Sequence, residues 1–201
     1  MIFKSLFRPF VYLLRSAIHF IKNKLQAVSY RWTKSAWIRQ QKSLGSQIAN
    51  DVDFTGLLPL PQYLSSGKNV LLQKHTTIWI SPYAHAPHIE IHDGVFIGQN
   101  VMIVAHESII IGKNSLIGHY SHITSCNHSY HRRDIPIREQ GFVGEPVIVG
   151  EDVWVGTYSV ILPGVVIGNG SIVAAGSIVT HNIPEYEVWG GTPARFIKKR
   201  N

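Results

Sequence analysis

Stepping by six from Val149, the chain reads Val149, Val155, Ile161, Ile167, Val173 and Val179, all aliphatic and β-branched. Four residues beyond the first five stand Val153, Ser159, Val165, Ser171 and Ser177, each small or β-branched. Earlier blocks repeat the step at Ile91, Ile97 and Ile103 and at Ile111, Ile117 and Ile123. From Ile103 to Ile111 the step is eight, so two extra residues loop out there. A helix repeats every 3.6 residues and a strand every two, and neither yields a strict six. A solenoid of short repeats does. Each unit is then one short strand plus a corner, and three units close a triangular coil. The aliphatic residue points inward and stacks on its equivalents above and below. Gly150, Gly156 and Gly168 directly follow their aliphatic residues, where the chain must turn. Coils touch only their neighbours, so the ends need caps. A β-sandwich alternates with period two and does not sustain six matches at this spacing.

Two stretches escape the rhythm. The first is the N-terminus. Residues 1–50 hold nine Lys/Arg and no Asp or Glu, whereas the rest holds ten basic and twelve acidic residues. The net charge of +7 therefore belongs to the N-terminus, and the main body lacks a basic face for nucleic acid. Phe3, Leu6, Phe7, Phe10, Leu14, Ala17, Ile18, Ile21, Leu25 and Val28 follow helical spacing, with Lys4, Arg8, Arg15, Lys22 and Lys24 mostly off that stripe. The apolar run from Phe10 to Leu14 falls far short of the roughly 20 residues that span a bilayer. Arg15 ends that run and no small-residue cleavage site follows, which does not suit a signal peptide. Two readings stay open for this amphipathic helix. Residues 1–30 lie on an anionic membrane surface, or they pack on protein. Cys126 is the single cysteine, which excludes an intrachain disulfide and fits a reducing, cytoplasmic setting, with the inner face of the cell membrane as the peripheral site.

The second break is SCNHSYHRRDIPIREQG, Ser125 to Gly141. A loop extruded from a solenoid is a common place for function. His128 carries an imidazole, which accepts a proton at neutral pH. Cys126 with a histidine suggests an acyl-enzyme, against which stands a small buried residue. His119, His122 and His128 raise zinc across a subunit boundary. Asn127 either binds substrate or caps a turn. Arg132, Arg133 and Asp134 either contact a polar acceptor or are simply solvated, and His131 reads as solvated.

The stretches DVWVG, ILPGVVIG, AAGSIVT and GGTPARFIKKR, in that order, resemble the hexapeptide-repeat acyltransferases over roughly Ile89 to Lys199. Galactoside and maltose acetyltransferases and polysaccharide O-acetyltransferases are the most similar branches. The resemblance implies a left-handed parallel β-helix, an exception to the right-handed crossover rule. It also implies a homotrimer with acetyl-CoA bound between neighbouring prisms and no metal. Domain limits follow as a basic helical segment at 1–50, a β-helix at 51–182 with its loop at 125–147, and a basic tail at 183–201. The family's catalytic histidine carries over to His128 in Thr124-Ser-Cys-Asn-His128-Ser, where Ser129 replaces the usual proline. Coenzyme contacts carry over to Trp154, Thr157, Ala175, Arg195 and Lys198, and to His181 where the family often has lysine. Asn100 aligns with an acceptor-binding asparagine, and Asn at a solenoid corner is also routine. IPIREQG resembles the polysaccharide branch and favours a glycan acceptor. The expected activity is acetyl transfer from acetyl-CoA to a sugar hydroxyl with His128 as general base. Alternatives are a free small sugar or amino group as acceptor, a metalloenzyme like the γ-class carbonic anhydrases, and a non-catalytic scaffold. The γ-class histidine spacing does not match HYSHITSCNH.

Overall fold

In a computed structural model of the protein, described here over residues 33–56, 63–81 and 87–201, the strands wind through three sheets in fixed rotation. β1 (Gln47–Ile48), β2 (Asp53–Gly56) and β3 (Leu64–Ser66) open sheets I, II and III. β4 (Leu71–Leu72), β5 (Thr77–Ile80) and β6 (Ile89–Ile91) add to the same sheets in the same order. β7 (Phe96–Ile97), β8 (Met102–Ala105) and β9 (Ile109–Ile111) do so again. β10 (Leu116–Ile117) and β11 (His122–Thr124) continue I and II. β12 (Cys126–His128) and β13 (Phe142–Gly144) then leave the prism as an antiparallel hairpin. β14 (Val147–Val149) resumes sheet III, and β15 (Trp154–Val155), β16 (Val160–Ile161), β17 (Val166–Ile167), β18 (Ile172–Val173) and β19 (Ile178–Val179) follow the rotation. β20 (Glu187–Gly191) joins sheet I and β21 (Ala194–Lys199) closes it antiparallel. All other pairings between prism strands are parallel, as a β-helix requires.

The period of six has a direct physical origin. Every residue of the series from Val149 to Val179 is 0% exposed, and Val153, Ser159, Val165, Ser171 and Ser177 are buried beside them. Register places Leu116 on Trp154 on Ile172, and Ile117 on Val155 on Val173, so like side chains stack along the prism axis. Burying one such aliphatic side chain contributes on the order of 1.5–3 kcal/mol. The small polar residues inside are satisfied by backbone, as in the bond from Ser121 Oγ to Gly156 O (3.0 Å) and from Ser115 Oγ to Gly150 O (2.8 Å).

Left-handed backbone recurs in coil after coil at two edges, and Gly164 (φ 79°) adds one such residue at the third. Asn100, Tyr120, Tyr158 and Gly176, with φ between 56° and 70°, stack along the edge from sheet I to sheet II. Asn and Gly tolerate this conformation, while a tyrosine there is uncommon. Tyr120 and Tyr158 stack face to face with centroids 4.8 Å apart. The third edge, from sheet II to sheet III, absorbs length. The two residues inserted after Ile103 and the whole of the Ser125–Glu145 excursion leave there.

Both ends are capped. A helix, α1, over 33–43 sets buried Trp37 edge-on against Phe54 at 5.2 Å. The lysine Lys34 reaches the Val52 carbonyl. At the other end the β20–β21 hairpin covers the last coil, with Ala194 buried and Arg200 bonded to Asp152 (2.9 Å) and to Gly170 O (2.9 Å). The sheets thus run past both expected limits, 51 and 182, because β1 and β20 pair in register with the coils. The amphipathic pattern of residues 1–30 lies outside the described residues. Among the described residues no helix is long and apolar enough to cross a membrane.

Stacking leaves no room for a side chain at Gly156, where β15 leaves sheet I. A Cβ on Gly156 would lie 2.5 Å from Ala175 N and 2.8 Å from Val173 O, both backbone atoms of the next coil. We expect Gly156→Ala to cost about 1–3 kcal/mol through overpacking. A thermal unfolding midpoint equal to wild type would contradict this packing.

Candidate active site

The hairpin is fixed at its root by one serine. Ser125 is fully buried, and its hydroxyl oxygen accepts the N–H groups of His106 and Glu107 (3.0 Å each) while donating to Glu107 O (2.8 Å). Its backbone N–H reaches Val104 O (3.0 Å), and its carbonyl accepts Glu145 N–H (3.2 Å). Both arms of the excursion therefore spring from a rigid point on the preceding coil. Pairing runs Cys126 to Gly144, Asn127 to Val143 and His128 to Phe142. Gly144 is required there, since a Cβ would meet Ser125 O at 2.8 Å.

The tip braces itself. Gln140 accepts the Arg132 N–H (2.9 Å) and donates to Arg132 O (2.7 Å) and Ile135 O (3.2 Å). Asp134 is gripped by the Arg132 guanidinium through both carboxylate oxygens. That hydrogen bond, more than its own backbone contact, holds the Asp134 carboxyl below the usual carboxylate range. Asp134 thus has an intraloop partner and shapes the tip. Tyr130 and His131 stack at 5.1 Å, both exposed.

His128 stands exposed on the hairpin, its ring 4.4 Å from the Phe142 ring at 36°. Asn127 is also exposed and points to the opposite hairpin face, as successive strand residues do. Cys126 is half-buried, and burial pushes its thiol pKa up, which disfavours the thiolate that an acyl-enzyme needs. His122 projects outward from β11 with Nε2 buried and unpartnered among the described residues, and burial lowers its pKa. His119 spends Nδ1 on the Gln99 N–H (2.8 Å) and packs edge-on against Phe96. The three histidines lie respectively on the I–II edge, in sheet II and on the hairpin. Among the described residues no three His, Cys, Asp or Glu side chains are arranged to hold a metal.

The coenzyme candidates fall elsewhere. Trp154 projects from the outer face of sheet I, 53% exposed. Thr157 and Ala175 occupy successive coils of the I–II edge, tied by the bond from Gly176 N to Thr157 O (2.8 Å). Arg195 and Lys198 are exposed on β21, which extends sheet I. Asn100 is a left-handed corner on the same I–II edge, below them. His181, bonded to Thr180 Oγ1 (2.8 Å), follows β19 and sits on the II–III edge with the hairpin. Within one chain, Trp154, Thr157 and Ala175 are therefore separated from His128 by the width of sheet II.

Sequence patterns missed Ser125, Phe142 and the tyrosine stack. The stack had a signal, a Gly-x-Tyr at the same phase in Gly118-His-Tyr120 and Gly156-Thr-Tyr158. Ser125 and Phe142 had none, since their roles depend on hairpin register.

Residues 146–181 match the family model of the bacterial transferase hexapeptide (six repeats), and residues 89–119 that of the hexapeptide repeat of succinyl-transferase. Over 116 residues the chain is 39% identical to WbbJ of Escherichia coli strain K12, which bears the name of a lipopolysaccharide biosynthesis O-acetyl transferase, covering 54% of this chain and 59% of that one. It is 34% identical over 127 residues to the galactoside O-acetyltransferase of the same strain, covering 61% of each. The chain spans about three fifths of the length of these curated relatives. Among solved structures, the hexapeptide-repeat acetyltransferase VCA0836 of Vibrio cholerae O1 biovar eltor, complexed with acetyl coenzyme A, aligns with a TM-score of 0.58 at 29% identity, covering 70% of this chain and 73% of that one. The six-residue period, the three-sheet rotation and these likenesses agree: the prism is a left-handed parallel β-helix, and the chain is similar to the hexapeptide-repeat acyltransferases over its repeat region.

Proposed function

We propose that the protein transfers an acetyl group from acetyl-CoA to a sugar hydroxyl of a glycan or polysaccharide precursor, with His128 as general base. The observation that carries this reading is the exposed imidazole on a hairpin rigidly rooted at Ser125. A neutral hydroxyl attacks a thioester poorly. The His128 imidazole takes the hydroxyl proton as the oxygen bonds to the acetyl carbon. The tetrahedral intermediate then expels the thiolate, which takes the proton from the imidazolium. The products are free coenzyme thiol and an acetyl ester. Base assistance of this kind contributes about 10²–10⁴-fold, and holding both substrates together contributes more. Trp154, Thr157 and Ala175 line a path for the pantetheine arm, and Arg195, Lys198 and His181 suit the phosphates, cationic donors being strong phosphate partners. Asn100 and Asn127 are assigned to the acceptor, and Asp134 supports the loop that meets it. The names of WbbJ and the galactoside enzyme, and the acetyl-CoA bound to VCA0836, support donor and acceptor class.

The separation of His128 from Trp154 across sheet II favours a site shared between copies of the chain. A homotrimer of parallel prisms brings the II–III edge of one copy to sheet I and the I–II edge of the next, closing three equivalent sites. The alternation of apolar and basic residues in 1–30 supports peripheral attachment at the inner face of the cell membrane.

We expect His128→Ala to lower thiol release from acetyl-CoA by about 10²–10⁴-fold, with Cys126→Ser near wild type. Loss with Cys126→Ser and retention with His128→Ala would reverse the mechanism. In flotation with vesicles containing anionic lipid, the full chain should rise. Replacing Arg15, Lys22 and Lys24 by Gln should weaken that by about 1 kcal/mol per residue. Equal flotation of the two proteins would remove the membrane assignment.

A further inference from the structure

A general base works only when its ring is held toward the hydroxyl. Catalytic and metal-bound histidines are commonly oriented by a hydrogen bond from a carboxylate or carbonyl to the second ring nitrogen. Among the described residues the His128 side chain has no hydrogen-bond partner, and an exposed imidazole on its own samples several rotamers. What it has is a ring. His128 and Phe142 are directly opposite in the β12–β13 ladder, which puts both side chains on the same face of the hairpin. Their centroids lie 4.4 Å apart. Behind Phe142, 5.9 Å away, lies the ring of His106. His106 is buried, shares a 3.0 Å hydrogen bond between Nδ1 and Ser81 Oγ, and donates its backbone N–H to Ser125 Oγ.

We propose that Phe142 is a positioning residue for His128, orienting the imidazole by a tilted ring contact and referring it through His106 to the rigid coil. This rests on the reading of His128 as the base. The register that makes the contact is pinned at both ends of the hairpin. Glu145 N–H bonds Ser125 O at the root, and Ser129 N–H bonds Gly141 O (3.1 Å) toward the tip. A slip of one residue turns Phe142 to the other face and frees the imidazole. The left-handed Gly141, φ 78°, sets the entry of β13 into that register.

Phe142 is half-buried on the hairpin and outside the prism core, so its replacement leaves the solenoid intact. The test compares wild type, Phe142→Leu, Phe142→Tyr and His128→Ala as full chains. Histidine ring protons are followed by NMR with ¹³C-labelled histidine, the His128 signal being the one absent from His128→Ala. Thiol release from acetyl-CoA is measured alongside. We expect Phe142→Leu to shift the His128 ring signal downfield, as the ring current of Phe142 is lost, and to lower kcat about five- to tenfold with the KM for acetyl-CoA unchanged. Phe142→Tyr should restore both signal and kcat. If Phe142→Leu leaves the His128 signal in place, or shifts it without loss of kcat, the positioning role is overturned while the base assignment stands. If His128→Ala turns over as wild type, the base assignment itself falls and the positioning role with it.

Discussion

Each coil of the prism must lie flat on the next, and everything else in the molecule accommodates that stacking. Register carries Ile117 onto Val155 onto Val173, and the glycines between strands let backbones approach where no side chain fits. A chain under this constraint cannot thicken a coil locally. Extra residues have to leave at a corner, and they do so at the one edge between sheets II and III. The extruded hairpin is thus the form that an insertion takes in a close-packed solenoid, with Ser125 as the buried peg that keeps it from slipping.

The same geometry separates the chemistry. Faces of the prism alternate inward and outward residues, so reactive groups collect at outer faces and corners. Trp154, Thr157 and Ala175 gather around sheet I and its edge with II, whereas His128 and His181 stand at the edge of II with III. A rigid prism has no hinge that could fold one edge onto the other. In the proposed mechanism, bringing base and coenzyme together falls to a second prism, and a small symmetric assembly is the simplest arrangement. The tyrosines at 120 and 158 fit the same picture of a specialised edge. They occupy left-handed corners that the neighbouring coils give to Asn and Gly, and they offset the local strain by stacking on each other.

Legibility in the sequence follows from how many partners a residue's role needs. An inward position has one requirement, an aliphatic group of fixed size, repeated in every coil, so the period of six and the three-sheet fold could be read directly. The role proposed for His128 needed the motif as well, since eleven histidines share its chemistry. Phe142 was invisible because its contact depends on the register of a hairpin whose strands are far apart in sequence. Asp134 read as an acceptor contact or a solvated acid in a charged run, and the sequence did not show that Arg132 two residues earlier grips it. The tail beyond 183 read as a basic extension and is a capping hairpin, because its pairing with sheet I needs the coil above to exist first.

Whether the active site is shared between copies is the central structural claim, and co-expression of two defective chains tests it most directly. His128→Ala and Trp154→Ala chains, each with low thiol release from acetyl-CoA alone, are assembled together. If one copy supplies His128 and its neighbour Trp154, randomly mixed trimers recover roughly a quarter of wild-type turnover, since that share of interfaces holds both intact residues. Turnover of the mixture no higher than the average of the two defective proteins would contradict a shared site.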